Sequence, residues 1–289
     1  MMLAPIQLGA TVVYMARFSP AGVLDAIREH SISLVGGVPS MYAALLRLKS
    51  ASPEDFKMIH ALISGGEPLG ANLREAFLAR FGVPLLEAYG MTETSLAISL
   101  NTPQTNRPGS VGKPIPGMQI KVVDDAGVAL PTEETGEIWV RGPMVMKGYH
   151  NLPTETAASV TSDGYFKTGD LGRLDSDGFL YITGRKKDLI IVAGEKIAPR
   201  EIEELLMSHP AVAEAAVIGK KDQTRGEAVV AFVIARESQS PSVEELREFC
   251  RQQGLPNWKV PREIHIVPDL PRSPTGKVLK RLLPTDAFD

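Results

Sequence analysis

The sequence predicts an α/β protein with three parts: a largely parallel sheet region, a β-rich region and a separate α+β unit. Three observations carry this. Residues 11–88 alternate short apolar runs with helical stretches, the mark of strands joined by crossover helices. Residues 109–184 change to short β-like segments broken by Asp-Asp-Ala-Gly127 and Asp-Ser-Asp-Gly178 turns. Beyond Lys187 a third pattern of strands and amphipathic helices begins.

In order, the expected strands of the first region are residues 11–15, 32–35, 61–64 and 84–88, with helices over 20–30, 41–49 and 72–81. The first strand comes so early that the front of such a sheet is unaccounted for, and the chain reads as a rear portion. Residues 101–117, rich in Pro and Gly, form a loop. The β-rich region holds strands at 120–123, 137–140 and 180–182, a small twisted sheet or barrel. The last unit has strands at 189–192, 212–219, 228–235 and 264–267, a helix opened by Pro199 and a helix carrying Cys250. The boundary is expected within residues 185–188.

At 289 residues and 44% hydrophobic, the chain can bury more than one core. A net charge of −3 with both signs mixed along the chain excludes a basic stripe for nucleic acid and a polybasic membrane patch. Small molecules are the expected partners. Cys250 shares a helical face with Val243, Leu246 and Phe249, so it packs rather than reacts, and a lone cysteine points to a reducing compartment. The start has no basic n-region and no apolar run is long enough for a bilayer, which reads as cytoplasmic.

Several motifs carry chemistry. Ser64-Gly-Gly-Glu-Pro-Leu69 follows a strand and precedes a helix, where Gly66 lets a ligand approach the backbone at the carboxyl end of a sheet. Tyr89-Gly-Met-Thr-Glu-Thr94 puts an aromatic ring, a hydroxyl and a carboxylate at the same edge. Tyr89 can stack on a base, Thr92 can meet a phosphate oxygen and Glu93 can hold a hard cation. Taken singly, the first hexapeptide reads better as a turn, and the second reads equally well as one.

Asp170, in Thr168-Gly-Asp170, can accept hydrogen bonds from both hydroxyls of a ribose, although alone it is an ordinary turn residue. Arg185 in Gly184-Arg-Lys-Lys-Asp188 offers a fork of donors suited to ribose or phosphate oxygens, although locally a solvated basic cluster is the favoured reading. Gly194 permits a tight loop ahead of Glu195 and Lys196. Lys277 follows a glycine on a segment read as mobile, able to swing onto a phosphate. It is no Walker lysine, because Pro271 stands where that loop needs a glycine. The five histidines lack ligand spacing, so neither a zinc site nor a histidine-activated nucleophile is expected.

The order and spacing of these motifs closely resemble the acyl-adenylate-forming superfamily of acyl-CoA synthetases, luciferases and peptide-synthetase adenylation domains. The resemblance runs from Gly9-Ala-Thr-Val-Val13 to Lys277. It implies part of a layered αβα sheet subdomain (1–108) and a small distorted β-barrel (109–186), then a mobile C-terminal α+β domain (187–289). It implies that Gly66, Glu67 and Pro68 line an adenine pocket, Tyr89 stacks on adenine beside Gly90 and Met91, and Thr92 touches the α-phosphate. Glu93 would bind magnesium, Asp170 the ribose with Arg185 nearby, and Lys277 the forming acyl phosphate. Lys187 matches the hinge, and Gly194, Glu195 and Lys196 the loop where coenzyme A enters.

The implied reaction is ATP-dependent ligation of a carboxylic acid, first a fatty acid and second an aryl acid, to CoA through acyl-AMP. A carrier-protein-loading adenylation domain and a non-catalytic nucleotide-binding fragment are the alternatives. The family's Ser/Thr/Gly-rich phosphate loop ending in Pro-Lys has no counterpart in these residues. Little ATP–pyrophosphate exchange by the chain alone is therefore expected, with association through an uncovered sheet surface.

Overall fold

The computed structural model describes residues 3–273 and 277–284. The chain forms two compact units, one of Met1–Thr168 with Gly172–Ile182 and one of Gly169–Leu171 with Thr183–Asp289. Among the described residues, no helix is long and apolar enough to cross a membrane.

The first unit opens with α1 (Leu3–Gln7) and α2 (Pro20–His30), then alternates β1 (Leu34–Gly37), α3 (Pro39–Arg47), β2 (Ala61–Ser64), α4 (Ala71–Phe81) and β3 (Leu85–Tyr89). Ser19 caps α2 by accepting from the Gly22 amide, and Pro20 at the first turn gives up only an amide with no helical partner. α4 stops where Gly82 takes φ +72° and donates to the Leu78 carbonyl. β1, β2 and β3 pair in parallel, with Gly37 opposite Ser64 and Ser64 opposite Glu87. β4 (Ser99–Leu100) and β5 (Lys113–Pro114) extend the sheet antiparallel.

α2, α3 and α4 all feed one core with Leu62 and Leu85, on the face that carries Val35. Phe77 stands edge-on to Tyr42 and Phe56, with centroids 5.8 and 5.7 Å apart, arrangements aromatic rings prefer. The Tyr42 hydroxyl lies 2.8 Å from the Ile63 carbonyl and 3.1 Å from that of Val35, tying β2 to β1. On the opposite face Leu34 is 52% exposed. Residues 11–15, expected as a strand, are irregular instead, and Tyr14 and Met15 are exposed. This apolar run finds no neighbouring strand to pair with among the described residues.

β6 (Gln119–Val123), β7 (Gly136–Arg141), β8 (Phe166–Leu174) and β9 (Leu180–Arg185) form a four-stranded sheet in that order, with the short α5 (Pro153–Ser159) between β7 and β8. The sheet does not close, which corrects the expected barrel. One face, with Ile138, Val140, Phe166 and Leu180, packs on Ile98 and Met118. The other carries Lys121 between the rings of Trp139 and Tyr165 and stays half-exposed, so only one face needs covering.

The second unit contains β10 (Ile190–Val192), β11 (Glu195–Ile197), α6 (Pro199–Met207), β12 (Val212–Asp222), β13 (Gly226–Ala235), α7 (Val243–Gln252) and β14 (Glu263–Ile266). The order is β11-β10-β13-β12, with β14 parallel to β13. α6 and α7 cover one face through Ile202, Leu206, Leu246 and Cys250. Burial pushes the Cys250 thiol up to about 11, which suits packing rather than reactivity. The other face is covered by the chain's own tail, through Leu270 and Leu283 against Val230 and Phe232.

Candidate active site

Because β1, β2 and β3 run in parallel and in register, their carboxyl ends finish side by side. The segments leaving β2 and β3, residues 65–68 and 90–93, therefore start from one edge, where ligands of open α/β sheets bind. Gly65 donates to the Gly37 carbonyl at 3.1 Å. Gly66 takes φ +83°, open to glycine at little cost. Gly66 and Pro68 are exposed and Glu67 is half-buried.

Gly90 is required by close packing: a Cβ there would lie 1.6 Å from the Leu96 carbonyl oxygen. The chain doubles back at this point. Leu96 donates to the Met91 carbonyl and Ile98 to that of Tyr89, with Ser95 and Leu96 both at positive φ. Thr94 is buried, its hydroxyl bonded to the Met91 backbone, while Thr92 in the same 3-10 turn is exposed. Tyr89 and Met91 pack half-buried against the core of the β-rich sheet.

Glu93 is held from the other side by residues 144–149. Its carbonyl accepts from the Met146 amide at 2.7 Å, and its carboxylate Oε1 accepts from the Tyr149 hydroxyl at 3.1 Å. Burial, with the hydrogen bond to Glu93 adding to it, pushes the Tyr149 phenol up, so it stays a donor. Sequence reasoning missed Tyr149. A single aromatic in a loop 56 residues away gives no local signal of the pairing.

In the second unit Asp170, 5% exposed, meets Arg185 Nε at 3.0 Å. Lys187 is exposed in the 3-10 turn Lys186–Asp188. Gly194 forms, with Ala193, the two-residue turn of the β10–β11 hairpin, both at positive φ (89° and 51°). Glu195 and Lys196 are exposed on β11, a strand the sequence reading took for loop.

Lys277 follows residues 274–276, which lie outside the described residues, and its own backbone pairs with Ser273. Its carbonyl accepts from Ser273 at 2.8 Å and its amide donates to Ser273 Oγ at 3.2 Å. Arg272 bridges to Val278 and to Glu214, and Val278 packs beneath. The Lys277 side chain is exposed while its backbone is anchored.

Among the described residues, no three His, Cys, Asp or Glu side chains converge as a cage for a metal ion. Glu93, one carboxylate with one engaged oxygen, suits a cation that takes its remaining ligands from phosphates and water. Magnesium is bound in that way.

A family model described as AMP-binding enzyme matches residues 1–150, and one described as AMP-binding enzyme C-terminal domain matches residues 201–277. The long-chain-fatty-acid–CoA ligase of Bacillus subtilis (strain 168) is 39% identical over 280 residues, 96% of this chain and 50% of that protein. The chain belongs to the AMP-binding enzyme family. The fatty acid–acyl-carrier-protein ligase ScoC of Streptomyces coeruleorubidus is 38% identical over 280 residues, 95% of this chain and 54% of that protein. Among solved structures, ATP-bound MatB from Rhodopseudomonas palustris superimposes with TM-score 0.90 at 35% identity, covering 95% of this chain and 54% of that one. The o-succinylbenzoate CoA synthetase MenE of Bacillus subtilis, in complex with ATP and magnesium ion, gives 0.85 at 38% identity, covering 96% and 57%. The chain thus spans about half the length of the AMP-binding relatives it matches.

Proposed function

We propose that this chain is the rear part of an acid–thiol ligase that joins a carboxylic acid to CoA through an acyl-AMP intermediate. The observation that carries the reading is the parallel register bringing residues 65–68 and 90–93 to one sheet edge. Gly66, Glu67 and Pro68 line the adenine there, and Tyr89 offers a ring face beside Gly90 and Met91. Thr92, exposed and uncharged, meets the α-phosphate. Glu93 would hold magnesium, which offsets the charge of the phosphates when bound. Asp170 accepts the ribose hydroxyls with Arg185 beside it, the pair being formed before any ligand arrives.

In the first step the carboxylate attacks the α-phosphorus and pyrophosphate leaves. In the second a thiol attacks the acyl carbon and AMP leaves. Neither step uses a protein nucleophile. Lys277 brings its ammonium to the forming acyl phosphate, and Gly194, Glu195 and Lys196 flank the entering CoA. Lys187 is the hinge about which residues 187–289 reorient as a mobile domain, following the first domain of residues 1–186.

Fatty acids are the first substrate class and aryl acids the second, because glycines at 36–37 and 65–66 leave the acid wall open. A carrier-protein thiol is the competing acceptor, and ScoC, a relative at 38% identity, bears the name of such a ligase. Thioester formation from ATP and a fatty acid, measured with the whole protein that contains this chain, separates the two. Product with free CoA supports the reading. Product with a carrier protein alone selects the other acceptor, and no acyl-AMP with either an alkyl or an aryl acid overturns the proposal. The 289 residues by themselves, without the phosphate loop, are expected to show little ATP–pyrophosphate exchange while binding AMP weakly.

A further inference from the structure

We propose that Tyr149 is a positioning residue for the cation-binding carboxylate: its phenol engages one oxygen of Glu93 and presents the other to the metal. This rests on the adenylation reading above and adds a residue to it. Tyr149 Oη donates to Glu93 Oε1 at 3.1 Å, which leaves Oε2 for the cation. A phenol suits this role better than an ammonium or guanidinium. It fixes the carboxylate by a hydrogen bond but leaves its full negative charge for the metal.

The residues around Tyr149 hold it for that contact. Its amide donates to Thr156 Oγ1 at 2.9 Å, and the same hydroxyl donates to the Leu152 carbonyl at 2.8 Å. Gly148 lets the chain press against that threonine, since a Cβ there would lie 2.7 Å from Thr156 Cγ2. α5, which carries Thr156, buries none of its own residues, so core packing does not account for it. What it supplies is an anchor for the Tyr149 backbone through Thr156 and a polar neighbour for the Tyr149 phenol through Ser159. From the same loop, the Met146 amide reaches the Glu93 carbonyl at 2.7 Å and the Met144 carbonyl accepts from Ser95 Oγ at 3.0 Å. The turn that bears Thr92 and Glu93 is therefore clamped at three points, of which only Tyr149 touches the carboxylate.

Partners that orient a metal ligand typically contribute about 10- to 100-fold in metal affinity. The test is binding of Mn2+, read by its paramagnetic resonance signal, to the whole protein that contains this chain with saturating ATP, beside AMP binding without metal. The proteins are the wild type, Tyr149→Phe, Glu93→Gln and the double variant, each checked for an unchanged melting temperature. Tyr149→Phe, which keeps the ring, is expected to weaken Mn2+ about tenfold and leave AMP affinity within about twofold. It should add nothing in the Glu93→Gln background. Unchanged Mn2+ affinity in Tyr149→Phe, or an equal loss of AMP affinity, overturns the role of Tyr149 alone. A wild type that binds Mn2+ no better than Glu93→Gln overturns the assignment of Glu93, and this inference with it.

Discussion

Ser64 at the end of β2 stands opposite Glu87 on β3 in parallel register, two residues before β3 ends at Tyr89. That pairing decides where the chemistry-bearing loops emerge. Glu87 is itself buried, accepting from Arg74 at 3.4 Å and from the Gly109 amide at 3.3 Å. The strand that delivers Tyr89 is thereby fixed to α4 and to the loop before β5. Residues 65–68 and 90–93 then project from a rigid edge, which is what a site that must place a nucleotide requires.

Gly90→Ala should be among the most damaging single-methyl changes in the chain. The new Cβ would collide with the Leu96 carbonyl at 1.6 Å, and backbone cannot yield as a side chain can. A loss of about 1–3 kcal/mol, read as a lower urea midpoint, is expected, together with loss of AMP binding.

Lys277→Ala should separate folding from chemistry. The side chain is exposed and its backbone bonds go to Ser273, so the melting temperature stays unchanged. In the whole protein, ATP–pyrophosphate exchange falls about 100- to 1,000-fold, the usual loss when one charge-stabilising donor is removed. Undiminished exchange would end the assignment.

Acid should weaken the first unit through Asp55. Hydrogen bonds from Arg28 Nε at 2.7 Å, opposed by burial and supported by the Ser52 amide at 2.8 Å, hold this carboxyl at about 2 against an ordinary 3.8. The folded value lies below the unfolded one, so the stabilisation is complete above about pH 4 and disappears as pH falls towards about 2. Asp55→Asn should lower stability at pH 7 and flatten that part of the acid-unfolding curve. An identical pH profile in the variant would remove Asp55 as the cause.

Much of the fold was legible because its signals are local. The apolar run of Ala61–Ser64 and the helical stretch of α4 each follow from one short window, and the structure returns both within a residue. The strand expected at 11–15 fails because an apolar run makes a strand only where a partner exists, and pairing is not local. The barrel fails for a related reason: alternation reveals that one face is buried, not whether the last strand meets the first. β11 escaped notice because its three residues include the exposed Glu195 and Lys196, which read as loop. Within the candidate site, Tyr89, Thr92 and Glu93 stood out because they share one hexapeptide, the end of β3 and the turn after it. Tyr149 did not, because its role exists only once residues 56 apart in sequence are folded together.

The central proposal is that the chain binds adenylate and that Asp170 accepts its ribose hydroxyls. Calorimetric titration of AMP into the purified chain tests it most directly, with Asp170→Asn as the paired variant. Hydrogen bonds to a charged group contribute about 1.5–3 kcal/mol, so the account predicts saturable one-to-one binding that weakens at least about tenfold in the variant. Heat that never saturates, or an affinity indifferent to Asp170→Asn, would contradict it.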